Sequence, residues 1–123
     1  MPKESHIAAK AELLKFALSL PEAYEDHPWD ETVAKVNQKV FVFFGMANAD
    51  TAVVFTVKLP QSLNGALVLP FVKPAGYNLG KSGWVTVTFT DDDPPVSMFL
   101  DWIKESYRAV APKKLVAVLD QPK

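Results

Sequence analysis

Between positions 5 and 20 apolar residues return every three or four places. Ile7, Ala11, Leu14 and Leu18 form one stripe, with Lys10, Glu12 and Lys15 mostly off it, and this predicts a helix over Ser5 to Leu20. Ser5 stands where a cap is expected, and Leu20-Pro21 ends the helix because a residue before proline is pushed out of the α region. Glu22 to Glu31 then holds five acids and no Lys or Arg, with Pro28 inside, and reads as a loop without regular structure. From Thr32 the period drops to two. Thr32 to Val36 and Val40 to Gly45 flank Asn37-Gln38-Lys39, a hairpin turn in which Asn tolerates the left-handed conformation. Thr51 to Leu59, rich in Val, Phe and Thr, completes an antiparallel meander of three strands.

Pro60 to Val72 carries both helix and strand signals. Pro60 before Gln61-Ser62-Leu63 favours a short helix that Pro70 ends, whereas Asn64-Gly65 before Ala66 to Leu69 would suit a turn and a strand. A second hairpin is expected from Tyr77-Asn78-Leu79, the turn Gly80 to Gly83, and Trp84 to Thr90. The last helix has the strongest pattern. Asp91 to Asp93 and Pro94-Pro95 suit a helix start; Val96, Phe99, Leu100, Ile103, Tyr107 and Val110 follow the helical period, with Asp101, Lys104, Glu105 and Arg108 turned to water. Pro112 stops or kinks it, and Lys113 to Leu119 forms an apolar-polar tail. The order α-β-β-β-α-β-β-α predicts a single α+β domain over residues 1–123, an antiparallel sheet with helices packed on one face.

Composition narrows the function more by exclusion than by indication. The chain has 123 residues, 49% of them hydrophobic and 22% charged, which fits one soluble folded domain. Thirteen Lys and Arg against fourteen Asp and Glu leave a net charge of −1, which excludes a protein basic over its whole surface. No cysteine is present, so thiolate metal sites, disulfides and cysteine nucleophiles are excluded. No signal-peptide core and no membrane-length apolar run can be drawn, and a cytoplasmic monomer without cofactor is the expectation.

Several stretches resemble chemical motifs. Ala75 to Ser82 nearly spells a phosphate-binding loop, but Ala75 stands where the first glycine belongs, and the loop leads into the strand pattern of Trp84 to Thr88 rather than a helix. The acid-rich stretch around His27 lacks a second histidine at ligand spacing, and Pro94-Pro95 after Asp91 to Asp93 break any calcium-loop pattern; no metal site is expected. An enzyme-like pocket would require Tyr24, Glu25, His27 and Trp29 to converge with Lys58, Tyr77 and Trp84. Trp84 and Trp102 read as core or rim packing. Lysines stand at both hairpin tips, Lys35 and Lys39 around the first and Lys81 in the second, where protruding turns can reach phosphates.

Five segments occur in the order seen in a known family: Leu20-Pro21-Glu22-Ala23-Tyr24-Glu25-Asp26-His27-Pro28-Trp29, Lys39-Val40-Phe41, Val57-Lys58-Leu59, Ala75-Gly76-Tyr77-Asn78-Leu79-Gly80-Lys81-Ser82-Gly83-Trp84-Val85-Thr86-Val87, and Ile103-Lys104-Glu105-Ser106-Tyr107. Over nearly its whole length the chain resembles the MmcQ/YjbR family of small bacterial proteins. The resemblance implies a two-layer, secretion-chaperone-like α+β fold and tilts Pro60 to Leu69 toward helix. It implies no enzymatic activity and no cofactor, and it carries the family's label of double-wing DNA binding. Asn78 and Lys81-Ser82-Gly83 stand where the family usually has a histidine and a more basic turn, and Trp29-Asp30 where Phe-Gly is common. On this resemblance the expected partner is double-stranded DNA, with Lys35, Lys39 and Lys81 on phosphates and Lys58 and Lys73 as weaker contacts. The alternative expectation is a protein-interaction module working through the sheet face.

Overall fold

A computed structural model describes residues 4–27, 32–44, 53–76, 82–90 and 95–120, with the side chains of 4–7 and 120 left aside. The chain runs α1 (Glu4–Ser19), β1 (Tyr24–Asp26), β2 (Thr32–Val36), β3 (Lys39–Phe44), β4 (Val53–Lys58), α2 (Leu63–Leu67), β5 (Val72–Pro74), β6 (Trp84–Phe89), α3 (Val96–Val110) and α4 (Lys113–Asp120). The strands form one antiparallel sheet in the order β1-β2-β3-β4-β6-β5. Alternation along β4 and β6 sorts the two faces: Val53, Phe55, Val57, Val85, Val87 and Phe89 are buried in the core, while Val54, Thr56, Lys58, Trp84, Thr86 and Thr88 face the other way. Helices α1 and α3 pack on the first face.

The aromatic centre of the core follows from the period of α3. Phe99, fully buried, meets Phe55 edge-on with ring centroids 5.0 Å apart, and its ring centroid lies 5.9 Å from that of Phe89, 6.1 Å from that of Phe71 and 5.8 Å from that of Trp102. Trp102, beside the predicted stripe, is core. In α1 the structure corrects the phase: the buried line is Ala9, Leu13, Ala17 and Leu20, while Ala11 is exposed and Leu14 and Leu18 are half-buried. This helix carries apolar residues around most of its circumference, so local periodicity does not select the inward side; the small alanines at 9 and 17 sit where the helix meets its neighbours.

Other boundaries differ for local reasons. The acid-rich stretch expected to be irregular contains β1, a short strand that needs only one hydrogen-bonded neighbour and tolerates polar residues at a sheet edge. The partner of β6 is Val72–Pro74, and the expected strand Tyr77 to Leu79 lies outside the described residues. The apolar-polar tail is helix α4, separated from α3 by Pro112. Pro95 precedes α3 without a side-chain cap, and Asp91 to Asp93 lie outside the described residues. The hairpin between β2 and β3 turns on Asn37 and Gln38, with φ 52° and 67°, the paired left-handed conformation that matches strand twist.

Three consecutive residues of α3 tie the two layers together. Glu105, expected in water, is half-buried: its Oε2 accepts the backbone N–H groups of Gln61 (2.9 Å) and Ser62 (3.0 Å), and its Oε1 accepts the Ser62 hydroxyl (2.6 Å). It thereby supplies the start of α2 with the acceptor that Ser62 does not provide from its own side chain. Ser106 fills a break in the sheet. Pairing steps from Ala34↔Val42 to Lys35↔Val40, so Phe41 is the extra residue of a β-bulge. The Ser106 hydroxyl donates to the Phe41 carbonyl and accepts the Lys58 N–H at 2.9 Å. Tyr107, fully buried, sets its ring edge-on to Phe41 at 5.3 Å and donates its hydroxyl to the Pro21 carbonyl at 2.7 Å.

Burial, and then the nearby Glu22 carboxylate, push the Tyr107 phenol above its ordinary pKa of 10.0. The raised value makes the folded state hold the proton longer than the unfolded chain. The associated stability is therefore complete below pH 10 and declines as pH rises through the folded value. Tyr107→Phe is expected to cost about 1 kcal/mol near neutrality, through the lost bond to Pro21. Urea denaturation at several values from about pH 8 to pH 11 should show the gap between wild type and variant narrowing on the alkaline side. A constant gap would contradict the assignment.

Candidate functional site

The sheet face opposite the helices is ordered by register. One row crosses all six strands: Asp26, Val33, Phe43, Thr56, Thr86 and Lys73. Along it the Thr56 and Thr86 hydroxyls are 2.9 Å apart. Lys58 pairs with Trp84 on the neighbouring row, and the Trp84 ring meets Phe43 edge-on with centroids 5.7 Å apart. Phe43, Val54, Thr56, Lys58, Trp84 and Thr86 are half-buried, so the face is neither bare nor uniformly charged. Val33 is fully buried yet stands apart from the main core cluster.

The same registers place the connections. Val36 pairs with Lys39, Lys58 with Trp84, and Pro74 with Val85, so the β2–β3 turn and the chain between β5 and β6 leave the sheet at one end. The two hairpins are centred three strand spacings apart, roughly 14 Å along the sheet. Lys39 is exposed at the first turn, and Lys58 is half-buried at this end between the hairpins. Lys73 is exposed on the edge strand, one residue before Pro74. Lys81 lies outside the described residues.

Lys35 differs from the other lysines. Its ammonium donates to Asp26 Oδ2 at 2.9 Å, diagonally across β1 and β2, and its side chain is 23% exposed. The hydrogen bond from Lys35, and then that from the His27 N–H, hold the Asp26 carboxyl below its ordinary pKa of 3.8. The same Asp26 contact raises Lys35 above 10.5. Lys35, expected to contact phosphates, thus has its ammonium held by a carboxylate of the neighbouring strand.

Among the described residues, the members of the expected enzyme-like pocket stand on separated strands. Tyr24 and Glu25 lie on β1 with His27 just beyond it, whereas Trp84 opens β6, four strand spacings or roughly 19 Å away. Trp29 and Tyr77 lie outside the described residues. Locally, His27 Nε2 lies 2.7 Å from Glu25 Oε2, two residues back along the strand, and the His27 N–H donates to Asp26 Oδ1 at 2.8 Å. The His27 Nδ1 stands 3.5 Å from the Thr32 hydroxyl. Tyr24 is 42% exposed. Among the described residues no group of three or more His, Cys, Asp or Glu side chains is arranged to hold a metal, and no helix is long and apolar enough to cross a membrane.

A cleft that sequence reading did not anticipate lies at the β5 edge. It measures about 420 Å³ and is lined by Pro70, Phe71, Lys73, Pro74, Thr86 and Thr88. Residues seventeen positions apart, such as Phe71 and Thr88, meet there only because β5 pairs with β6; no local pattern marks them.

Comparison with known proteins agrees with this architecture. A family model described as YjbR matches residues 18–109. The crystal structure of Deinococcus radiodurans protein DR2400, described as a DUF419 domain, superposes with a TM-score of 0.66 at 23% identity, covering 91% of this chain and 88% of that one. At that identity the likeness speaks for the fold. No curated protein matches.

Proposed function

The chain belongs to the YjbR family, and from that premise we propose that it is a non-enzymatic binding protein that takes double-stranded DNA at the end of the sheet where both hairpins turn. The observation that carries the reading is the shared direction of the two connections, β2–β3 and β5–β6, with Lys39 and Lys58 at the same end. Their separation, roughly 14 Å by strand spacing, is comparable to the width of the DNA major groove, about 12 Å. Lys39, Lys58 and Lys73 would contact phosphates, joined by Lys81 from the β5–β6 connection. Lys35, tied to Asp26, would brace the first hairpin rather than contact DNA. A net charge of −1 limits such binding to a few local contacts.

Fluorescence anisotropy with a random duplex tests this. Four phosphate contacts correspond to a log–log salt slope near −3.6, about a 150-fold loss of affinity between 50 and 200 mM salt. Lys39→Ala should weaken binding to every sequence alike and flatten the slope by about 0.9. Absence of salt-dependent binding would reject the proposal. A second reading, a protein-interaction surface on the open sheet face, draws support from the Phe43–Trp84 pair beside Val54. That reading survives a negative DNA titration and predicts that Lys39→Ala changes nothing.

A further inference from the structure

We infer that Asn64-Gly65, in the first turn of α2, is a site of covalent modification at which the asparagine amide is lost as ammonia, and that Glu105 governs the rate. It is the one Asn-Gly pair in the chain. Both residues are exposed, and a Cβ on Gly65 would meet none of the described residues outside its own helix within 4 Å. The first helical bond of the turn runs from the Ala66 N–H to the Ser62 carbonyl at 2.9 Å, one residue beyond Gly65. The Gly65 N–H is therefore one of the donors that a helix start leaves without an intrahelical acceptor. A capping serine ordinarily takes such a donor, but Ser62 makes no side-chain cap and gives its hydroxyl to Glu105. The nitrogen that must attack is held by no cap and stands next to the amide it attacks.

The reaction balances with water alone. The Gly65 nitrogen loses its proton to hydroxide and bonds to the Asn64 side-chain carbon, whose amino group takes a proton from water and leaves as ammonia. Water then opens the cyclic imide at either carbonyl, giving aspartate or its β-linked isomer. Glycine favours closure, because no side chain crowds the attacking nitrogen. Helical backbone opposes it, since Asn64 must leave the α conformation to bring its side-chain carbon to that nitrogen. With five residues, one of them glycine, α2 has little helical stability of its own. Its entry is held instead by the Glu105 carboxylate, which accepts the Gln61 and Ser62 N–H groups and the Ser62 hydroxyl. Release of that grip opens the turn to attack. The product carries an added negative charge, and the β-linked form lengthens the main chain within the turn that the Ala66–Ser62 bond closes, so the change runs one way.

The inference is independent of nucleic-acid binding, and its test contains none. The full chain would be kept folded in mildly alkaline buffer and followed by peptide mapping with mass spectrometry, ammonia release serving as a second readout. Asn64 is expected to convert, faster as pH rises, while Asn37 persists. Gly65→Ala, whose Cβ has room and suits a helix, should all but stop the conversion. Glu105→Ala should speed it about tenfold, the factor that corresponds to losing a hydrogen bond to a charged group. Phe99→Leu, which weakens the core without touching Glu105, should leave the rate near that of the wild type. If Glu105→Ala does not fold, Glu105→Gln carries the same test with a smaller acceleration. Absence of conversion at Asn64, conversion undiminished in Gly65→Ala, an unchanged rate in the Glu105 variants, or an acceleration at least as large in Phe99→Leu would each overturn the assignment.

Discussion

Phe99→Ala is expected to remove about 3–5 kcal/mol of stability, the largest loss from any single truncation considered for this chain. The side chain is fully buried, and four aromatic rings close around it, those of Phe55, Phe71, Phe89 and Trp102. Truncation forfeits the transfer energy of the ring and leaves a cavity that a cluster of rigid rings cannot collapse to fill. Each edge-on partner also loses a contact worth about 0.5–1.5 kcal/mol beyond burial, though such contributions overlap. Against a typical total of roughly 5–15 kcal/mol, the variant would melt on the order of 15 °C lower or fail to fold at growth temperature. Phe99→Leu keeps most of the volume and should lose distinctly less. Calorimetry on the three proteins decides the matter: equal melting temperatures for wild type and Phe99→Ala would remove Phe99 from the centre of the core.

Ser106→Ala should have the second largest effect, about 2–4 kcal/mol, although it deletes a single oxygen. The cost lies in what the oxygen serves. The Phe41 carbonyl, displaced from its ladder by the bulge, and the Lys58 N–H at the end of β4 both turn to the Ser106 hydroxyl. Alanine leaves a buried acceptor and a partly buried donor unsatisfied, and a buried group left so costs about 1–3 kcal/mol. The signature separates this from a packing defect. Hydrogen exchange at the Lys58 amide should accelerate well beyond that of the β4–β6 ladder in Ser106→Ala, whereas Phe99→Ala should accelerate the whole core together. Uniform acceleration in both would show that the hydroxyl is not a local pin.

These two residues were unequally visible in the sequence. Phe99 sits on the helical stripe that runs from Val96 to Val110, and its burial follows from that period. Ser106 lies between Ile103 and Val110 as an ordinary small polar residue, distinguished only by the segment it shares with the family. Its partners are 65 and 48 residues away, and no local rule connects them. Glu105 was misplaced for the same reason: a charged residue on a helix reads as solvent-facing until the start of α2 is brought against it.

The candidate site divides similarly. That Lys39 stands at the first hairpin turn was legible, because Asn37-Gln38 marks that turn by backbone chemistry. That Lys35 is held by Asp26 while Lys39 is exposed was not, since both stand beside the same turn. Tyr24–Asp26, inside the acidic stretch that read as a loop, becomes an edge strand once Lys35 and the β2 backbone are available to it.

Periodicity within a single segment therefore determined the α+β class, the three-strand meander, the inward side of α3 and the turn at Asn37, because each depends on residues a few positions apart. Tertiary structure alone decided which side of α1 packs, that Val72–Pro74 pairs with β6, that both hairpins leave one end of the sheet, and that a cleft forms beside Lys73. Those outcomes require segments distant in the chain to meet, and their selection rests on shape, register and hydrogen-bond satisfaction between surfaces that exist only after the elements have formed.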